Sequence, residues 1–151
     1  MLFGGYDTTL LTDHWYWNGA TWQQRSPAIL PPGRTFGLAT FDPQRNRTVL
    51  AGGQGASSFL QDAWEWDGAT WTLQAINPLT SFQGAPPLAF DPRRGRIVTS
   101  GNPAYEWNGA SWASLPTTYS IHEPTGLVTD HARQRLLGTV TLTAGLRMTI
   151  G

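Results

Sequence analysis

A chain of 151 residues is long enough to bury a real core and has the size of one ordinary domain. Ten arginines balance ten acids and lysine is absent, so zero net charge removes the drive for sequence-independent binding to nucleic acid or an anionic membrane. The absence of cysteine excludes a disulfide framework, a thiolate nucleophile, a Cys-ligated zinc and an iron–sulfur cluster.

Eight Trp, 17 Gly and 11 Pro point to short strands and tight turns rather than helices. The opening stretch Met1-Leu2-Phe3-Gly4-Gly5-Tyr6-Asp7 lacks the basic residue and apolar run of a signal peptide. Nor does any later run reach the roughly 18–20 apolar residues of a membrane span, so no membrane insertion is expected. Trp15-Tyr16-Trp17 then reads as a strand, Asn18-Gly19 as a hairpin turn and Thr21-Trp22 as the returning strand. Phe36–Phe41 reads as the next strand, closed by an Asp42-Pro43 turn in which Asn46 can take a left-handed conformation. Thr48–Ala51 follows, ending on Gly52-Gly53. Trp64-Glu65-Trp66, Asp67-Gly68 and Thr70-Trp71 then repeat the earlier hairpin. The cycle returns as Pro87–Phe90, an Asp91-Pro92 turn with Gly95, Ile97–Ser100, Tyr105-Glu106-Trp107, Asn108-Gly109 and Ser111-Trp112. A weaker copy of the Asp turn spans Thr129–Gly138.

Spacing shows how the repeat is built. Trp17 to Trp66 is 49 residues and Trp66 to Trp107 is 41, and the loop after the Gly52-Gly53 position absorbs the whole difference. Trp22 to Asp42 and Trp71 to Asp91 are both 20. A held framework with one variable loop is the pattern of stacked units carrying insertions on one face. Four short strands repeating every 40–50 residues predict an all-β partial β-propeller of about three and a half four-stranded blades, in a ring of six or seven. Residues 1–25 supply strands two to four of a first blade, 34–75 a second, 84–116 a third and 124–151 the start of a degenerate fourth. Because Met1–Gly5 aligns with Val49–Gly53, either further blades lie outside the chain or copies associate to close a ring.

The diglycines Gly4-Gly5 and Gly52-Gly53, with the spaced pairs Tyr16/Trp22 and Trp66/Trp71, give the chain its resemblance to the kelch family. It is most similar to the Trp-rich repeats of the galactose oxidase central-domain type, over about residues 1–140. That resemblance implies a propeller scaffold binding protein or carbohydrate, with an extracellular or cell-surface location. The related oxidase activity uses copper and a Tyr crosslinked to Cys, which this chain lacks, so it is not carried over and no cofactor is expected. Trp17, Trp22, Trp66, Trp71, Trp107 and Trp112, with the diglycines, are expected to fill the space between blades.

Seven arginines, Arg45, Arg47, Arg93, Arg94, Arg96, Arg133 and Arg135, share the Asp turns with Asp42, Asp91 and Asp130, which are expected to cap the turns and pair with them. The histidines His14, His122 and His131 lack metal-motif spacing and read as isolated surface residues. Asp67-Gly68-Ala69-Thr70-Trp71 resembles a sialidase Asp-box lacking one residue, itself a structural turn, and no carboxylate pair for glycoside hydrolysis stands out. What varies between units is the opposite loop face. Arg34, Gln83 and His122, each eight residues before a repeat Asp, are expected to ring a channel mouth, with Tyr6, His14 and Phe59 nearby. The expected function is non-catalytic binding of protein or glycan through these loops. The alternative is a segment of a sugar-acting propeller enzyme, galactose oxidase-like or sialidase-like, with catalytic residues elsewhere.

Overall fold

The computed structural model describes residues 1–76, 87–101, 103–116 and 124–140, and its regular structure is antiparallel β throughout. The first sheet holds β1 (Leu2–Phe3), β2 (His14–Trp17) and β3 (Trp22–Arg25). The second holds β4 (Leu38–Asp42), β5 (Arg47–Ala51), β6 (Asp62–Trp66) and β7 (Trp71–Ile76). The third holds β8 (Leu88–Asp91), β9 (Arg96–Thr99), β10 (Tyr105–Trp107) and β11 (Trp112–Ser114). β12 (Pro124–Asp130) and β13 (Arg135–Val140) form the last. Each sheet is a meander in chain order, and the four together make a partial β-propeller.

Local chemistry explains the strand ends. Trp17 pairs with Trp22, Trp66 with Trp71 and Trp107 with Trp112, and in each pair the rings meet tilted, with centroids 5.3–5.6 Å apart. Between each pair an Asx side chain closes the turn. Asn18 Oδ1 accepts from the amides of Ala20 and Thr21, Asp67 Oδ1 from Ala69 and Thr70, and Asn108 Oδ1 from Ala110 and Ser111. At the Asp turns, Asp42 Oδ1 accepts from the amides of Gln44 and Arg45, and Asp91 Oδ1 from those of Arg93 and Arg94. Asn46 and Gly95 take the predicted left-handed conformation, at φ 53° and 62°. Gln134 does the same in the third copy at φ 51°, without a residue type that announces it.

The strand edges differ from the sequence reading in one respect. The first strand of the second unit begins at Leu38, because Phe36 sits at φ 56° and turns the chain before pairing starts. Gly53 is fixed by crowding. At φ 98°, a Cβ there would stand 2.6 Å from the Thr35 carbonyl and 2.8 Å from the Gly37 amide.

Three apolar clusters join the sheets in sequence. Leu50, Trp64 and Trp71, with Trp66 and Leu30, meet Phe3 of the first sheet. Val49, Ala51 and Ala63 meet Leu88, Phe90, Ile97 and Trp107 of the third. Val98, Ala104 and Leu115 meet Leu136 of the last. Trp71 and Trp107 are buried in the gaps between sheets, but Trp17 and Trp22 lie exposed on the outer face of the first sheet.

Polar groups cross all three of these junctions. Trp107 Nε1 donates to Glu65 Oε1 at 2.8 Å, and the same oxygen accepts from Arg45 Nη1 at 2.5 Å. Arg45 also donates from Nε to Asp42 Oδ2, so a turn, a strand and a neighbouring blade share one charge network. Burial would lower the Arg45 pKa, but hydrogen bonds and charge from Glu65 and Asp42 outweigh it and raise it. The guanidinium of Arg94 goes to Glu106, while Arg133 and Arg135 pair with Asp130. Arg45, Arg94, Arg133 and Arg135 are thus structural partners of acids, of which Glu65 and Glu106 lie on later strands and Asp42 and Asp130 at the turns themselves.

Candidate binding surface on the loop face

Strand register sets the ends of the sheets. Thr48 lies opposite Trp66 and Ala51 opposite Ala63, so the Asp turns share one end with the Trp hairpins. At the other end stand the loops 4–13, 26–37 and 52–61, whose sequences differ between units. A backbone ridge runs across them. Tyr6 bridges Leu10, the Gly5 amide donates to the Arg34 carbonyl, Thr35 bridges Gln54, and Gln54 bridges Phe59.

Arg34 is the pin of this ridge. Its guanidinium forks onto Asp62, Nη1 to Oδ1 and Nη2 to Oδ2, both at 2.7 Å. Nη1 also donates to the Gly52 carbonyl at 2.7 Å and Nε to the Pro32 carbonyl at 3.1 Å. Burial alone would raise the pKa of Asp62. Hydrogen bonds from Arg34 and Trp64, with the Arg34 charge, hold it below the ordinary carboxylate value instead. The expectation that Arg34 lines an open channel mouth is corrected: the side chain is fully buried and bonded within its own chain. Its partner Asp62 opens β6, 28 residues on, just past the next variable loop, which no local motif reveals.

His14 is likewise no surface residue. It is buried between sheets, edge-on to Trp66 with ring centroids 4.5 Å apart, and Trp71 Nε1 donates to its Nδ1 at 3.4 Å. Burial, reinforced by the N-terminal amino group and Arg25, pushes its pKa below the ordinary imidazole value. A neutral ring that accepts a Trp N–H explains why a histidine stands where Ala63 and Ala104 stand in the later units. His131 is exposed, while Gln83 and His122 fall outside the described residues.

What the ridge leaves to solvent is aromatic. Tyr6 and Phe59 are both exposed, and Phe36, next to the pinned Arg34-Thr35 pair, is 71% exposed. Phe36 also holds a positive φ, an uncommon and costly conformation for a bulky side chain. Sequence reasoning placed Phe36 inside a strand. Only its place beside Gly37, whose Cα packs against the Arg34 side chain so closely that a Cβ would meet Arg34 Cδ at 2.7 Å, hints at the turn.

Beside the ridge a cavity of about 320 Å³ opens between the first and third of the loops flanking β2 and β3, bounded by Leu10–Asp13 and Gln24–Pro27 with Leu30. Its lining mixes leucines with hydroxyl, amide, carboxylate and guanidinium groups. Asp13 repeats the arrangement of Asp62, with Trp15 Nε1 donating to Oδ2 as Trp64 Nε1 does in the second unit. Its Oδ1, however, is buried without a hydrogen-bond partner, whereas Asp62 Oδ1 holds Arg34. Among the described residues no group of three or more His, Asp or Glu side chains is placed to hold a metal ion. No described helix is long and apolar enough to cross a membrane.

No protein-family model matches the chain, and no curated protein matches it either.

Proposed function

We propose that the chain is a kelch-like, non-catalytic propeller segment whose loop face binds a polypeptide. The observation that carries this reading is the ridge: three exposed aromatics, Tyr6, Phe36 and Phe59, on backbone that Arg34 and Asp62 hold rigid. Exposed aromatic side chains supply large contact area at low conformational cost, and they are enriched in protein interfaces and their hot spots. Holding Phe36 at positive φ costs free energy that burial does not repay in the chain by itself, since the ring stays in water. The neighbouring cavity adds polar groups that can fix the direction of a bound main chain.

Selection of a phage-displayed random peptide library on the native chain tests the proposal, with a glycan array run in parallel. Peptides enriched on the native chain and lost from a Phe36→Ala/Phe59→Ala variant are the expected result. Glycan capture that depends on the same two residues, with no peptide enrichment, overturns the polypeptide reading in favour of carbohydrate.

A further inference from the structure

The chain has five asparagines, and the residue after each divides them by chemistry. Asn77 and Asn102 precede proline, which has no amide N–H, and Asn46 precedes the bulky Arg47. Asn18 and Asn108 each precede a glycine at the tip of a Trp hairpin, and both are exposed. That exposure belongs to the hairpin tip, since Asn108 lies in the third sheet, which packs against the second on one side and the last on the other.

An Asn-Gly pair can close a ring on itself. The glycine amide loses its proton to base and bonds the asparagine Cγ, and negative charge collects on Oδ1. The Cγ–Nδ2 bond then breaks, and the side-chain nitrogen leaves as ammonia after taking a proton from water. Water opens the resulting succinimide at Cγ to give an aspartyl residue, or at the main-chain carbonyl to give an isoaspartyl one.

The first hairpin supplies what this reaction needs. The Asn18 amide donates to the Thr21 carbonyl, and the amides of Ala20 and Thr21 donate to Asn18 Oδ1 at 2.9 and 2.8 Å. Those two donors already stand where the negative charge develops. Among the described residues nothing accepts from the Gly19 amide, so the attacking nitrogen is the free one of the turn. The product also has a counterpart in the chain. Converting Asn18 to aspartate gives the turn the sequence of Asp67-Gly68-Ala69-Thr70-Trp71. There Asp67 Oδ1 accepts from the amides of Ala69 and Thr70, and Oδ2 accepts from Thr70 Oγ1 as well. The same hairpin therefore holds either side chain.

Asn108 makes the same two amide bonds but is encumbered. A Cβ on Gly109 would stand 2.7 Å from Arg45 Nη1 and 3.0 Å from its Cζ, so the guanidinium lies against this glycine. Asp42 and Glu65 anchor that guanidinium. Swinging Gly109 onto the Asn108 Cγ requires Arg45 to move. The leaving nitrogen, Asn108 Nδ2, also donates to Ser111 Oγ at 3.4 Å.

We propose that Asn18 is a site of spontaneous modification, passing to aspartate through a succinimide with its hairpin intact, and that Arg45 shields the sister site at Asn108. Each event adds one negative charge to a chain of zero net charge.

Incubation of the native chain in mildly alkaline buffer, followed by peptide mapping with mass spectrometry, reads each conversion as a gain of about one dalton. Asn18 is expected to convert several-fold faster than Asn108. In urea the two rates should converge, because Gly and Ala follow both asparagines. Arg45→Ala should raise the Asn108 rate toward that of Asn18, with circular dichroism checking the fold. Asn18→Asp should leave the urea midpoint of the chain no lower. A folded chain in which Asn18 stays intact, while it converts in urea, overturns the proposal. So do equal rates at the two sites in the folded native chain, and so does a midpoint lowered by Asn18→Asp. An Asn108 rate that ignores Arg45→Ala in a folded variant overturns the shielding.

Discussion

The first and third sheets carry nearly the same hairpin, yet their tryptophans live in different surroundings. Trp107 is 0% exposed and its N–H reaches Glu65 across the junction, whereas Trp17 at the same repeat position is 46% exposed. The first strands of the second and third sheets repeat the contrast, with Phe41 at 50% and Phe90 at 3%. The residue is the same and the strand geometry is the same; only the neighbouring sheet differs. Burial in such an array belongs to the junction, so each repeat position stabilises the chain in proportion to what lies beside it.

Substitutions can break this contrast. Trp107→Ala should cost the most, about 3–5 kcal/mol, since it empties a filled junction and strands Glu65 Oε1 without its Trp donor. The urea midpoint of the two chains measures it, with the slope unchanged if the transition stays cooperative. Next comes Arg34→Met. Removing the guanidinium leaves the Asp62 carboxylate unpaired on the loop face, and a loss near the lower end of the roughly 3–5 kcal/mol typical of broken buried pairs is expected. Adding Asp62→Leu to Arg34→Met should restore much of that loss, and a double variant no better than the single one would refute the pairing argument.

Acidity sharpens the junction between the first two sheets. The His14 pKa is lower in the folded chain than in the unfolded one, so the unfolded chain takes up the proton first as pH falls through about 6.5. Stability contributed there is present above that value and is lost as the solution is acidified below it. Asp62 adds a separate loss only as pH falls below its ordinary value of about 3.9. Urea midpoints at pH 8 and pH 5.5 should therefore differ, and His14→Gln should flatten the difference. The smallest effect belongs to Trp17→Ala. It should change stability by no more than about 0.5 kcal/mol. A cost approaching that of Trp107→Ala would erase the contrast between the sheets.

Local rules made most of the fold legible in the sequence. The Asn-Gly and Asp-Gly hairpins, the Asp-x-x-Arg turns and the left-handed Asn46 and Gly95 all depend on residues within a few positions of one another. The loop face was legible as a place but not as a set of contacts. Arg34 resembles a solvent-facing loop residue until Asp62 arrives at the start of β6, and the third unit has Gln83 at its position, so the repeat itself gives no hint of the pair. His14 misled for a similar reason. A polar residue opening a strand reads as exposed, and only two tryptophans from the next blade make it a core group. Phe36 carried no glycine or asparagine to advertise its backbone conformation.

The Arg34 fork also bears on how force passes between blades. The segment joining β3 to β4 is bonded through Arg34 to Gly5 on one side and to Gly52 and Asp62 on the other. It therefore works as a strut rather than a slack tether. Tension drawn between the first two sheets must shear several hydrogen bonds and an ion pair at once instead of unzipping them in turn. In a pulling experiment the two sheets should yield in a single event, and Arg34→Met should split it into two.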